Sequence, residues 1–337
     1  MASIPPRPAL PPEWLAHRYD PGHDAVHFIK VPRQIRRETP FLTDRNLPDV
    51  SDPLVVRRQD ALVSVPPGRL NFIFHSAYCG STLLANAYDR PGAAFALKEP
   101  TLLNDLVGWR LRGGEPQKIG EVLVDGLKLL ARPFQIGESG VIKPSNLVNG
   151  LARAMLTVRP EAGALLLYAP LEQFLRSIAA KGLWGRLWVR ELLAKYLQEG
   201  FVDLGFTSQD YFMQSDLQVA AIGWLAQHQL FAALANAWPD RVRTIDTPRL
   251  LVDPAASLEA LDALFGVEGD PASRDAVIGS VFSRHSKTGT DFNATTRASD
   301  QRDASESHGD EIEKVTIWAE TVANHAGIPW DLPQPLL

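Results

Sequence analysis

The sequence predicts an α/β fold with a parallel β-sheet flanked by helices on both faces. From Arg69 onward, short apolar runs alternate with longer segments of helical periodicity, a pattern typical of βαβ units. Residues 1–68 are rich in prolines and show no sustained periodicity, so we expect a proline-rich N-terminal arm there. Residues 69–337 are then one α/β domain.

Each predicted strand is a short run of apolar residues bounded by polar or turn-forming ones. The runs are Leu70–Phe74, Ala94–Leu97, Gly140–Ile142, Ala164–Tyr168 and Val242–Ile245. Helical periodicity predicts helices over residues 82–87, 116–130, 147–156, 171–180, 186–198, 217–237, 257–265 and 311–326. The polar segment from Ser283 to His308 is predicted as a long loop, a feature that often acts as a lid.

Composition narrows the class of protein. With 337 residues, 45% of them hydrophobic, the chain can bury a large core. A net charge of −5 gives no electrostatic reason to expect a nucleic-acid partner, and a single cysteine fits a reducing compartment. The N-terminal residues lack the apolar core of a signal peptide, and no apolar run reaches the ~20 residues that span a bilayer. We therefore expect a cytoplasmic protein without membrane insertion.

The first predicted strand runs into a small polar turn and then into a helix, which is the layout of a phosphate-binding loop. The loop covers Ser76 to Thr82, with Gly80 at the tight turn. This geometry points the free N–H groups of the helix start, and the positive end of its dipole, at whatever lies in the loop. An ordinary strand–turn–helix corner has the same composition, so the loop alone does not decide between the two interpretations.

The loop departs from the ATP-binding pattern G-x-x-x-x-G-K-[ST] in two ways. Ser81 stands where that pattern has its lysine, and the strand at Ala164–Tyr168 ends without an acid to hold magnesium. Both departures disfavour a magnesium-dependent NTPase, and no metal is expected. Cys79 does not fit a cysteine phosphatase either, because the Cys-x5-Arg pattern would need arginine where the chain has Ala85.

Charged residues follow the second and third predicted strands. Lys98 and Glu99 precede Pro100, and Lys143 precedes Pro144, so each strand is broken directly after its charge. If both strands lie beside the loop, the two lysines converge on its mouth to neutralise an anion, and Glu99 is placed as a general base. Solvated strand ends are the alternative interpretation.

Two further groups of residues could bind an anion. On the helix after the fourth strand, these are Arg176, Ser177 and Lys181. In the long loop, a clamp would comprise Arg284, Lys287 and Gly289. A solvated helical face and a plain polar loop explain the two groups equally well.

The order of these parts resembles the sulfotransferases that use 3′-phosphoadenosine 5′-phosphosulfate (PAPS). The run Cys79–Leu84 is similar to the Gly-Ser/Thr-Thr loop that cradles the 5′-phosphosulfate in that family, and Leu167–Ser177 to the segment that binds the 3′-phosphate. Ser283–Gly289 is similar to the loop that closes over the nucleotide, and Leu250–Gly266 to the segment after the last core strand. In this order, the resemblance covers about residues 69–290.

The resemblance implies a P-loop NTPase-like, sulfotransferase-type three-layer fold, PAPS as co-substrate, and transfer of a sulfuryl group to a hydroxyl or amine of a small-molecule acceptor. It implies donor-binding roles for Ser76, Tyr78, Cys79, Gly80, Ser81, Thr82, Arg176, Ser177, Lys181, Arg284, Lys287 and Gly289, and catalytic roles for Lys98, Glu99 and Lys143. Tyr78 and Tyr168 stand where the family has cations, so other lysines and arginines of these groups must replace them. A kinase-like phosphotransferase and a non-catalytic nucleotide-binding protein are the competing hypotheses.

Overall fold

The computed structural model describes residues 10–48, 51–268, 271–282 and 294–337. The chain divides into two compact units. The first unit consists of Met1–Ile73, Thr82–Gly163 and Asp262–Ser273, and the second of Phe74–Ser81, Ala164–Leu261 and Arg274–Leu337.

A small antiparallel sheet lies within the N-terminal arm. Its strands, in the order β1-β2-β3, are β1 (Trp14–Asp20), β2 (Ala25–Lys30) and β3 (Leu54–Arg57). The pairing of β1 with β2 shifts between Ala16 and Arg18. Such a shift interrupts the alternation of inward and outward side chains. The sequence of the arm therefore shows no sustained periodicity, although the arm contains strands. That residue 68 bounds a separate arm stays a prediction. The arm also contains two short helices, α1 (Arg33–Glu38) and α2 (Arg58–Ala61).

The second sheet is parallel, and the predicted fold class is confirmed. Its strands are β4 (Arg69–His75), β5 (Ala94–Lys98), β6 (Ser139–Lys143), β7 (Ala164–Tyr168) and β8 (Val242–Asp246), in the order β5-β6-β4-β7-β8. Each predicted strand agrees with an observed one to within one residue at either end. Every residue of β5, β6 and β7 is buried, as expected for a parallel sheet that is covered on both faces.

Helices connect the strands of this sheet. Before β7 these are α3 (Ser81–Asn86), α4 (Thr101–Leu111), α5 (Pro116–Leu130) and, after a 3₁₀ turn at Asn146–Leu151, α6 (Ala152–Val158). Between β7 and β8 they are α7 (Leu171–Ala180), α8 (Gly182–Glu199), α9 (Ser208–Met213) and α10 (Asp216–Ala237). After β8 they are α11 (Thr247–Val252), α12 (Pro254–Phe265), α13 (Pro271–Val281) and α14 (Ala294–Ala326). Within the described part of the chain, no helix has the length and apolar character that crossing a bilayer requires.

The predicted long loop at Ser283–His308 is wrong over its second half, because α14 begins at Ala294. Residues 294–308 are polar, so no apolar periodicity indicates a helix there. Among the residues of α14 whose burial is described, Ile312, Val315 and Ala319 are buried. The first turns of α14 are therefore helical without an apolar stripe, which is the signal that sequence reasoning uses.

A buried ion pair stabilises the first unit. Arg90 donates two hydrogen bonds to the carboxylate of Asp262, with Nη1 lying 3.0 Å from Oδ2 and Nη2 bonded to Oδ1. The two residues are 3% and 4% exposed. A charge at such depth depends on its partner, because water cannot replace the lost interaction.

We expect Asp262→Asn to destabilise the protein by about 3 kcal/mol, since Arg90 would keep its charge without a counter-charge. Urea denaturation would measure this loss. The matched variant Asp310→Asn breaks the exposed pair between Asp310 and Lys314 and should leave the midpoint unchanged. Equal midpoints for the two variants would show that the buried pair does not stabilise the unit.

Candidate functional site

The loop between β4 and α3 has an unusual backbone. The φ angles of Ala77, Tyr78 and Gly80 are +68°, +51° and +77°. Glycine adopts this left-handed region freely, but alanine and tyrosine adopt it at a cost of about 1–3 kcal/mol each. Such a conformation persists only when surrounding contacts fix it, and it is found preferentially at functional sites.

Hydrogen bonds within the second unit fix this loop. The N–H of Ser76 donates to the carbonyl oxygen of Leu167 at 3.1 Å, and the N–H of Ala169 donates to the hydroxyl of Ser76 at 3.3 Å. The N–H of Ala77 donates to Nδ1 of His75 at 3.1 Å. The start of the loop is thus tied to the end of β7.

Thr247 holds the other side of the loop and was not found by sequence reasoning. It is 1% exposed and lies directly after β8. Its hydroxyl lies 2.9 Å from the carbonyl oxygen of Cys79 and 3.1 Å from that of Tyr168. A hydroxyl has one proton, so the two carbonyl groups share a single donor. The only sequence signal for this role is the position of Thr247 at the end of the fifth predicted strand.

Thr82, at the start of α3, has a hydroxyl group that finds no partner in the described part of the chain. The residue is 2% exposed, and its Oγ1 makes no hydrogen bond among the described residues. Burying a hydroxyl without a partner is unfavourable, so such groups often mark a place where a ligand binds. A Cβ built on the neighbouring Gly80 would have no other atom within 4 Å. The loop therefore combines an available donor with a backbone that a ligand can approach closely.

Tyr78 and Tyr168 stand at the two positions where the PAPS-dependent sulfotransferases that the sequence resembles have cations. The ring of Tyr78 contacts Phe174 and Trp188, with centroids 6.2 and 5.6 Å apart. Burial raises the pKa of Tyr78 to about 12, and burial with help from Asp246 raises the pKa of Tyr168 to about 12. Both are neutral phenols at pH 7, so neither supplies positive charge.

The three strand-end residues lie in the first unit and contact one another. β5 and β6 pair with Lys98 opposite Lys143, and each lysine is 1% exposed. Nζ of Lys143 forms an ion pair with the carboxylate of Glu99. Nζ of Lys98 donates to Oδ1 of Asn86 at 2.8 Å and to the carbonyl oxygen of Arg37 at 2.9 Å. The three charges thus contact one another, while their convergence on the mouth of the loop and their action on an anion there stay a prediction.

Burial acts on Lys98, and backbone strain on its neighbour Glu99. Burial lowers the pKa of Lys98 to about 8; Asp89 opposes this effect, and the charges of Lys143 and Arg37 add to it. Glu99 has a φ of +53°, the left-handed region again, and its N–H donates to the carbonyl oxygen of Lys143 at 2.7 Å. The strand end thus holds Glu99 in a strained position beside Lys143.

The second predicted anion site lies on α7 and its end. Arg176 forms an exposed ion pair with Glu172 at 3.0 Å. The hydroxyl of Ser177 donates to the carbonyl oxygen of Gln173 at 2.8 Å, and Lys181 caps the helix. Their role in binding the 3′-phosphate stays a prediction. Arg284, Lys287 and Gly289 lie outside the described residues.

No family model matches the chain, and no curated protein matches it. Among solved structures, it is similar to the sulfotransferase domain from the curacin biosynthetic pathway, with 16% identity and a TM-score of 0.41 over 67% of this chain and 81% of that one. It is also similar to the sulfotransferase domain from the Synechococcus PCC 7002 olefin synthase, with 16% identity and a TM-score of 0.40 over 69% of this chain and 83% of that one. At such identity, function has to be inferred from the residues of the chain itself.

We expect Thr247→Val to loosen the loop, because valine keeps the shape of threonine but cannot donate to Cys79. The stability should fall by about 0.5–1.5 kcal/mol, and the amides of residues 76–80 should exchange faster with deuterium. Thr321→Val is the matched control, since Thr321 donates to a helix carbonyl on an exposed face. Unchanged exchange in the Thr247 variant would show that the hydroxyl does not hold the loop.

Proposed function

We propose that the protein is a sulfotransferase-like enzyme that transfers a sulfuryl group from PAPS to a hydroxyl or amine acceptor. The observation that carries the proposal is the buried hydroxyl of Thr82, which lacks a partner among the described residues and directly follows a loop with left-handed backbone. A donor of this kind, next to a glycine that allows close approach, fits an anionic phosphosulfate. The order of sequence motifs supports the same family.

The loop residues would bind and orient the donor. The hydroxyl of Thr82 and the backbone N–H groups of Gly80 and Ser81 would donate hydrogen bonds to its anionic oxygens. Ser76, Tyr78 and Cys79 shape the loop around them. PAPS supplies the activated sulfuryl group, and the protein supplies position and charge, as in phosphoryl transfer.

The strand-end residues would carry the transfer. Glu99 takes the proton of the acceptor hydroxyl or amine as the acceptor atom forms its bond to sulfur. Lys98 or Lys143 neutralises the charge that develops on the phosphate oxygen as the bond from that oxygen to sulfur breaks. Within the first unit, β5 pairs with β6 and β6 with β4, and ligands of parallel sheets bind beyond the carboxyl ends of the strands.

Thermal shift with three nucleotides separates this function from its competitors. We expect stabilisation by PAPS and by 3′-phosphoadenosine 5′-phosphate without magnesium, since binding to the folded state raises the melting temperature. Stabilisation only by ATP with magnesium would favour a kinase-like phosphotransferase instead. If no nucleotide stabilises the protein, the proposed function is wrong.

We expect Gly80→Val to abolish nucleotide binding while the fold stays cooperative. The side chain would keep an anion from the backbone, and losing two charge-assisted hydrogen bonds of about 1.5–3 kcal/mol each lowers affinity more than a hundredfold. Gly113→Val is a matched control, because Gly113 also has a positive φ, +80°, and no atom near its missing Cβ. Both variants should lose similar stability. Undiminished affinity of the Gly80 variant for 3′-phosphoadenosine 5′-phosphate would refute the loop assignment.

We expect Glu99→Gln to lower turnover by ~10²–10⁴ while PAPS still binds, because a lost general base affects the transition state more than the bound donor. Turnover would be measured with radiolabelled PAPS and an acceptor found by screening hydroxyl and amine compounds. Lys143→Met breaks the same ion pair from its other side and should weaken nucleotide binding first. Full turnover in the Glu99 variant would show that Glu99 is a structural residue.

A further inference from the structure

A short segment of the N-terminal arm contacts both strand-end lysines. We call residues 37–42 the strap. Its first residue accepts a hydrogen bond from Nζ of Lys98, through the carbonyl oxygen of Arg37 at 2.9 Å. Its last residue, Leu42, donates its N–H to the carbonyl oxygen of Lys98 at 2.7 Å and accepts from the hydroxyl of Thr101 at 3.0 Å. Between these two attachments, the ring of Phe41 lies 4.9 Å from Nζ of Lys143.

The ammonium groups that an anion would bind already interact with the strap and with Glu99. Lys98 directs its ammonium group to Asn86 and to the strap, while Lys143 is bonded to Glu99 and covered by the aromatic face of Phe41. A cation beneath an aromatic ring is stabilised by that ring and shielded from water. Since both lysines are 1% exposed, an anion cannot reach either one with the strap in this position.

The strap residues after α1 belong to no strand of the sheet that carries the two lysines. Lys98 and Lys143 are fixed by the backbone pairing of β5 with β6, whereas Phe41 is half-buried and belongs to neither strand. Leu42 is fully buried and bonded on both sides, so we expect movement to be confined to the residues before it. Displacing Phe41 would remove the ring from Nζ of Lys143 and leave the pairing of β5 with β6 in place.

We infer that the strap is a gate on the strand-end cations, which is closed in the described structure, and that an anion binds once the strap has moved and then takes Lys143 from Glu99. This inference rests on the proposed function. Its consequence is an order of events: the carboxylate of Glu99 is released to accept a proton only once the donor has bound. The sulfuryl donor thus has to bind before the carboxylate of Glu99 can act as a base. Without the donor, the sulfuryl acceptor is not deprotonated.

Amine labelling in the absence of nucleotide tests the gate directly. Brief treatment with an acetylating N-hydroxysuccinimide ester, followed by peptide mass spectrometry, measures how fast Lys143 becomes acetylated. We expect Phe41→Ala to raise that rate roughly three- to thirtyfold, the range that losing one cation–π contact implies. Phe134→Ala is the matched control: Phe134 is also half-buried and lies over the cations of Arg33 and Arg36, but it does not belong to the strap.

A second variant loosens the strap without touching Phe41. Thr101→Val removes the hydroxyl that bonds to Leu42 and should raise the labelling of Lys143 in the same direction, by a smaller factor. This variant decides the matter if Phe41→Ala does not fold. The gate is refuted if the folded variants label Lys143 at the wild-type rate, or if Phe134→Ala raises labelling as much as they do.

Nucleotide affinity separates the gate from the proposed function. Because its gate is open, Phe41→Ala should bind 3′-phosphoadenosine 5′-phosphate roughly three- to thirtyfold more tightly than the wild type. In the wild type, part of the binding free energy is needed to displace the ring. Weaker binding would show that Phe41 contributes to the site and does not close it. If labelling rises as expected but neither protein binds the nucleotide, the gate stands and the proposed function fails.

Discussion

Two ammonium groups buried side by side are the constraint on which the candidate site depends. The register of β5 and β6 places Lys98 opposite Lys143, and both are 1% exposed. A buried charge without a partner costs on the order of several kcal/mol, so each ammonium group must find acceptors close by. Lys143 has Glu99 and the face of Phe41, and Lys98 has Asn86 and a carbonyl of α1. The arm, α3 and the strand ends are thereby joined by one charge cluster.

Backbone strain also occurs in the loop and at the strand end that form the candidate site. Of the six non-glycine residues with positive φ among the described ones, three are Ala77, Tyr78 and Glu99. Two of these shape the loop, and the third is the candidate base. Strain at such positions is retained when it places a group for chemistry and when neighbouring hydrogen bonds hold it, as Ser76 and Thr247 do for the loop.

Sequence reasoning found the loop and the strand-end charges but missed the groups that hold them. Thr247 bonds to Cys79 across 168 residues, and the carbonyl of Arg37 accepts from Lys98 across 61. A hydrogen bond from a side chain to a distant backbone group leaves no periodicity and needs no particular residue type at the acceptor. Phe41 likewise lies in a segment without regular pattern, so nothing in the sequence connects it with Lys143.

The sequence by itself determined the fold class and the strands of the parallel sheet, because buried strands such as Ala164–Tyr168 need short apolar runs wherever they occur. It also placed Gly80 between a strand and a helix, and Thr82 at the start of that helix. The tertiary structure alone decided that the hydroxyl of Thr82 lacks a partner among the described residues, and that the charges of Lys143 and Glu99 neutralise each other. The hydrogen-bond partners and the burial of a side chain depend on which distant segments of the chain come into contact. Local composition contains no information on those contacts.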